Sequence, residues 1–257
     1  MVARLPLMTR IGLAMLLTAG GATASVDTVP FTIDPNPVSI GTFFHGGAVR
    51  VRGTVASDTT VVVLITGQTT EEGFNRKGRV GPFWATVGKV TIAGVPRLHL
   101  VASTAQVSTL LPPTAVDEHL LSLEALLHRA IVKPGGPNRE PVLVEYLKLK
   151  QWQGVVGVFE DAVRISGSSA ERAFEATIPW PATAPVGAYR VIVLHVRDRA
   201  VVRQSVQPLS VTYVGLPRFI SHMAFEQGLT YGIFAVFIAL GVGLVMGLLF
   251  KRGTAAH

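Results

Sequence analysis

The chain has 257 residues, 23 Lys and Arg against 16 Asp and Glu, no cysteine, 26 glycines and 16 prolines, and only 15% of its residues are charged. Absence of cysteine rules out disulfides, thiolate metal sites, thiol redox chemistry and lipid attachment at a cysteine, so burial alone must hold any exported domain together. The basic excess is weaker than the pI of about 10.1 suggests: without Arg4, Arg10, Lys251 and Arg252 there remain 19 basic residues against 16 acidic ones, in no dense block, which excludes a nucleic-acid-binding surface.

The N-terminus reads as an export signal. Arg4 and Arg10 precede the apolar stretch Ile11-Gly12-Leu13-Ala14-Met15-Leu16-Leu17, and Ala22-Thr23-Ala24 supplies the small-x-small cleavage pattern. An apolar core of about a dozen residues is short for a layer roughly 30 Å thick, which favours a cleaved signal peptide over residues 1–24 rather than a permanent anchor. The domain that follows is expected from residue 25 to residue 215.

Between Phe31 and Ser103 short β-rich runs alternate with turn residues. Val49, Val51 and Val55 alternate with Arg50, Arg52 and Thr54, with an interruption near Gly53; Val61 to Ile65 is continuously apolar; Val87 to Ile92 and Leu98 to Val101 follow. Pro30, Pro35, Pro37 and Pro82 belong at edges or turns, because proline cannot donate to a ladder. Glu71 to Trp84 is the most distinctive string, and it reads as a loop. Arg76, Lys77 and Arg79, among glycines, form a candidate cradle for an anion or a partner, with Phe83 and Trp84 as an apolar wall. The plainer alternative is a solvated strand connection whose tryptophan packs inward. No phosphate-loop signature accompanies it.

The pattern then turns helical. Thr114 three residues before Asp117 resembles a capping box, and Val116, Leu120, Leu123, Leu127 and Ile131 recur at helical spacing until Lys133-Pro134-Gly135-Gly136. A second helix is expected from Glu140 to Gln151, with Pro141 in its first turn and Leu143, Tyr146, Leu147 and Lys150 on one side. Together they predict a helical hairpin over about residues 114–152. Strands return at Ala162 to Ile165, Arg172 to Ile178, Ala188 to Val196 and Leu209 to Val214. Neither half has enough strands for a comfortable sandwich alone, so the expected fold is mainly β: one immunoglobulin-like β-sandwich with the helical hairpin inserted mid-sequence.

After Pro217, Ile220, Met223 and Ala224 fall at i, i+3, i+4, which fits either an amphipathic turn at a membrane interface or a plain linker over residues 216–228. Leu229 to Phe250 then carries no charge and, as a helix, reaches about 33 Å, enough for one transmembrane span. Lys251 and Arg252 close it, and the positive-inside rule puts the tail, residues 251–257, in the cytoplasm. Gly243 and Gly247 form a small-xxx-small pair that would let a partner helix approach closely, although glycine is common in membrane helices anyway.

Catalytic and metal signatures are missing. The histidines lack ligand spacing: His119 and His128, nine apart on one expected helix, would face opposite ways. Glu160-Asp161, read as strand neighbours, would also point apart. With no nucleophile elbow either, the expectation is a non-enzymatic protein with no metal and no cofactor.

The exported start, the string Arg76-Lys77-Gly78-Arg79-Val80-Gly81-Pro82-Phe83-Trp84, the entry Pro96-x-x-His99, the late Gly187-x-Tyr189 and the C-terminal span with its basic stop together resemble a family of alphaproteobacterial transmembrane proteins. That resemblance covers nearly the whole chain. It implies a periplasmic domain held on the inner membrane by one helix, and an accessory role beside permeases of the sulfite-exporter type. The leading expectation is therefore a membrane-anchored interaction module that docks on such a permease or another envelope complex. The alternative is a periplasmic domain that binds or senses a small anion such as a sulfur oxoanion.

Overall fold

The computed structural model describes residues 30–135, 139–167 and 171–251; the expected signal peptide and most of the basic tail lie outside them. In chain order the first half contains β1 (Phe31–Asp34), β2 (Val38–Ile40), β3 (Gly47–Ala56), β4 (Thr60–Thr66), β5 (Thr69–Val80), β6 (Phe83–Pro96) and β7 (His99–Ser103). Next come α1 (Val107–Leu110), α2 (Pro113–Glu118), α3 (Leu123–Arg129), β8 (Ile131–Lys133) and α4 (Arg139–Trp152). The rest is β9 (Val156–Phe159), β10 (Val163–Ser166), β11 (Glu171–Trp180), β12 (Gly187–Arg197), β13 (Ala200–Tyr213), α5 (Leu216–Glu226) and α6 (Gly228–Lys251).

The protein is mainly β. One sheet has the order β1-β3-β11-β10 and a second the order β2-β13-β12-β4-β7-β9, so each takes strands from before and after the helical segment. Inward residues of both merge into one core that includes Val49 and Val51 of β3, Val61, Val63 and Ile65 of β4, Phe174 and Ile178 of β11, and Val191 and Val193 of β12. The alternation in β3 follows from this: valines face that core while Arg50 and Arg52 face water, and Arg52 pairs with Glu175 at 2.9 Å. Gly53 does not interrupt the strand. It occupies an inward position where a Cβ would sit 2.7 Å from the Phe174 ring, so the aromatic fills the space the glycine leaves.

β4 explains its own uniform composition. Val61, Val63 and Ile65 face the sandwich core, whereas Val62 and Leu64 face a second cluster formed with Val107, Leu111, Val116 and Leu121 from the helical segment. A strand covered on both faces has no polar side, hence Val-Val-Val-Leu-Ile. The short strands β1 and β2 lie at sheet edges, beside Pro30, Pro35 and Pro37, where a missing donor costs nothing. At the turn into β12, the Tyr189 hydroxyl donates to the Pro185 carbonyl oxygen, and Gly67 leaves room for the ring, since a Cβ there would lie 2.9 Å from it.

The inserted segment is more than the expected helical hairpin. The first expected helix is broken into α2 and α3 at Leu120, which has φ 56°, and Ile131 belongs to a strand. Helical spacing of the leucines continued across the break because each short helix turns its own apolar face inward. Ser122, not Thr114, supplies a capping side chain, accepting from the Ala125 amide at 3.1 Å. The second helix matches its expected span closely, with Leu143, Tyr146, Leu147 and Lys150 on its buried side. The string read as a loop between Glu71 and Trp84 is instead most of β5 and the turn into β6, in a long antiparallel hairpin, β5–β6, which with β8 makes a third sheet.

Candidate functional site

The β5–β6 hairpin grows out of the sandwich as a continuation of it. The β4–β7 ladder ends at Thr66 opposite His99, the Gly67 amide donates to the Leu98 carbonyl at 2.9 Å, the Arg97 amide donates to Gln68 at 3.0 Å, and the β5–β6 ladder starts at Thr69 opposite Pro96. The root is tied down by His99, which is almost fully buried. Its Nε2 lies 2.7 Å from the Leu120 carbonyl oxygen and its Nδ1 lies 3.4 Å from the Thr66 hydroxyl. Burial pushes the imidazole pKa down to about 4, so near neutral pH the ring is uncharged and Nε2–H donates to Leu120, holding the α2–α3 corner against the ribbon.

The lower half of the hairpin is covered. Phe74, Val90, Ile92 and Val95 pack with Leu126, Leu143, Tyr146 and Leu147 of α3 and α4, the Phe74 and Tyr146 rings meeting edge to face at 5.7 Å. Lys150 reaches from α4 to Glu72 at 2.7 Å and lies 5.4 Å from the Tyr146 ring centre. Burial, together with the Glu72 charge, pushes the Tyr146 hydroxyl pKa up, which keeps it neutral.

Beyond Asn75 the ribbon pairs mainly with itself, since β8 meets β6 only at Thr91 to Ala93. The chain reverses at Gly81-Pro82 between the paired residues Val80 and Phe83, with Gly81 at φ 59°, as tight hairpin turns demand. Strand pleating separates two faces. One carries Lys77, Arg79, Trp84 and Thr86, with Lys77 hydrogen-bonded to Thr86 at 2.9 Å; the other carries Val80, Phe83, Ala85 and Val87, and Val87 packs over Gly78. Arg76, Lys77, Arg79 and Lys89 are exposed, as are Val80 and Val87, while Phe83 is 73% and Trp84 75% exposed. The expected inward tryptophan is therefore absent from this segment. The three cations that read as one cradle stand along an exposed ribbon and do not converge on a point, a poor geometry for holding a single small anion. One signal was available in the sequence and missed: no Asp or Glu occurs from Gly73 to Val116.

α5 and α6 form the second candidate region. α5 carries Phe219, Ile220 and Met223 on one side and Arg218, His222 and Glu226 on the other, His222 and Glu226 being 2.9 Å apart. Its apolar side faces α6 across a cavity of about 870 Å3 that Phe234, Ile238 and Val242 also line. The segment is helical and lies against α6. α6 contains the one helix among the described residues that is long and apolar enough to cross a membrane, Gly228–Leu248, and its side chains are exposed along its length. Neither Gly243 nor Gly247 has an atom within 4 Å of its Cβ direction, so both are open to a neighbour.

The sequence matches a family profile described as Putative transmembrane protein (Alph_Pro_TM) over residues 28–252. The chain belongs to this family. No curated protein and no solved structure matches it. The match runs from just before β1 through the end of α6, so the family unites the sandwich, the hairpin and the span in one unit, and membrane anchoring through α6 follows from both.

The remaining sequence candidates are scattered. His119 caps α2 while His128 lies in α3, so their placement on one helix was wrong, and among the described residues no three His, Asp or Glu side chains gather into a metal-binding group. Glu160 and Asp161 occupy the exposed turn between β9 and β10, not a strand. His195 is buried beside Phe174, and that burial lowers its pKa.

Proposed function

We propose that this protein is a non-enzymatic, membrane-anchored interaction module with its β domain in the periplasm and its tail in the cytoplasm, acting as an accessory to an inner-membrane permease or a related envelope complex. The observation that carries this reading is the exposed state of α6. A helix of this composition is stable only in lipid or against other helices, and the Gly243/Gly247 line offers a partner helix a close approach that no other described residue occupies. The export signal and the basic residues after the span favour the stated orientation. Permeases of the sulfite-exporter type enter through the resemblance described above.

The test is co-purification. The tagged full chain, extracted from membranes in mild detergent, should bring down a multi-span permease, and Gly247→Leu should lower the recovery of that partner several-fold while the chain itself accumulates normally. Equal recovery would sink the helix contact. The alternative, a small-anion sensor, predicts sulfite or sulfate binding by the purified chain that is lost in the combined Arg76→Gln, Lys77→Gln and Arg79→Gln variant; a flat calorimetric titration of the unsubstituted chain excludes it.

A further inference from the structure

The hairpin leaves the sandwich at the end from which the chain runs on into α5 and α6. β4 and β13 both pair antiparallel with β12, so they run the same way; Thr66 at the end of β4 lies opposite Arg190, and Val211 near the end of β13 lies opposite Gly187. β13 then delivers α5 and α6, while β4 continues through Gly67 and Gln68 into β5. The ribbon and the chain leading to the span therefore depart from the same end of the same sheet. At about 3.3 Å per residue, the twelve residues of β5 reach roughly 40 Å if straight, comparable with the ~36 Å length of α6.

The tip chemistry is graded along that reach. Val80, Phe83 and Trp84 crowd the turn with Arg79 paired beside Trp84, and Lys77, Arg76 and Lys89 follow farther back around Val87, with no carboxylate in the ribbon beyond Glu72. A bilayer surface has the complementary profile: an apolar layer below, a belt where tryptophan is favoured, and phosphates above it. A protein pocket for four spaced cations would need an acidic partner of matching spacing, whereas an anionic lipid surface accepts them in any arrangement. Tethering by α6 supplies a high local concentration of bilayer, so a contact too weak to recruit a soluble protein suffices here.

We propose that the distal β5–β6 hairpin is a second membrane contact, which inserts Val80, Phe83 and Trp84 among the headgroups of anionic phospholipids while Arg76, Lys77, Arg79 and Lys89 lie on their phosphates. This rests on the reading that α6 spans the same bilayer. With α6 as one leg and the hairpin as the other, the β domain stands on the membrane at two points and cannot swing freely about the span.

The absence of cysteine makes the test direct, because Phe83→Cys introduces the chain's only thiol at an exposed position. The full-length variant, labelled there with an environment-sensitive fluorophore, is reconstituted into nanodiscs of phosphatidylcholine alone or mixed with phosphatidylglycerol, with spin-labelled lipid as quencher. The expected result is a blue-shifted emission and several-fold stronger lipid quenching in the anionic discs, returning to the neutral-disc level when Lys77→Gln and Arg79→Gln are added. Two results overturn the proposal. One is a probe equally open to aqueous acrylamide in both compositions; the other is a probe shielded in native membranes but open in purified anionic discs, which would assign the tip to a protein partner. The same label at Val242→Cys separates the two readings, because loss of lipid quenching there would defeat the membrane span itself. A label at Val80→Cys repeats the measurement should the first variant be poorly folded.

Discussion

The two halves of the β5–β6 hairpin share one ladder and differ in what covers them. Near the sandwich, Phe74, Ile92 and Val95 are packed under α3 and α4, and the Lys150–Glu72 ion pair is largely shielded from water. Beyond Asn75 equally apolar residues, Val80, Phe83, Trp84 and Val87, are exposed. Burial makes the lower half a contributor to stability. Exposure makes the upper half a cost in water, which soluble domains usually keep small and which points to a surface meant to be covered. α6 repeats the contrast on a larger scale: β4 hides its valines on both faces, whereas α6 shows its leucines and valines to whatever solvent surrounds it.

That contrast can be broken residue by residue. The largest effect is expected from Leu147→Ala, which removes a buried side chain beneath the hairpin and should cost about 3–4 kcal/mol in urea unfolding of the detergent-solubilised chain. Acid should loosen the root by a similar amount. His99 has its folded pKa depressed to about 4 against 6.5 in the unfolded chain, so between these values the unfolded state binds the proton and the folded state does not. Stability should therefore rise by up to ~3 kcal/mol from pH 4 to pH 6.5 and gain nothing further from this group above it, a slope that His99→Gln should flatten.

Glu72→Ala should cost about 2 kcal/mol, because it leaves the Lys150 ammonium with 10% side-chain exposure and no carboxylate; adding Lys150→Met should recover most of the loss in the same unfolding experiment. The smallest effect on stability is expected at the tip. Trp84→Ser and Phe83→Ser should change unfolding by no more than about 0.5 kcal/mol, yet both should weaken the anionic-bilayer contact. A tip substitution as costly as Leu147→Ala would show that the upper half is packed in the folded protein and would end the comparison.

Much of this was legible beforehand. Alternation marked β3, a continuous apolar run marked β4, and one apolar face marked α4, because each pattern records which side of an element is covered. What escaped depended on neighbours distant in sequence. Gly53 looked like an interruption until Phe174 was seen to fill its place, and the leucines from Val116 to Leu127 gave a single period although two short helices, broken at Leu120, produce it. The basic Gly-rich string read as a loop because glycine, arginine and lysine carry little strand preference; long-range continuity with the β4–β7 ladder imposes the extended conformation.

By itself the sequence determined that the chain is a cysteine-free, mainly β protein with one apolar C-terminal helix, since composition and period record solvent preference directly. Only the tertiary structure decided that the hairpin and the chain leading to the span leave the same end of one sheet, and that Arg76, Lys77, Arg79 and Trp84 stand exposed on a ribbon and not around a cradle. Strand pairing is set by contacts between residues far apart in the chain, and no local pattern encodes the direction in which a ladder continues.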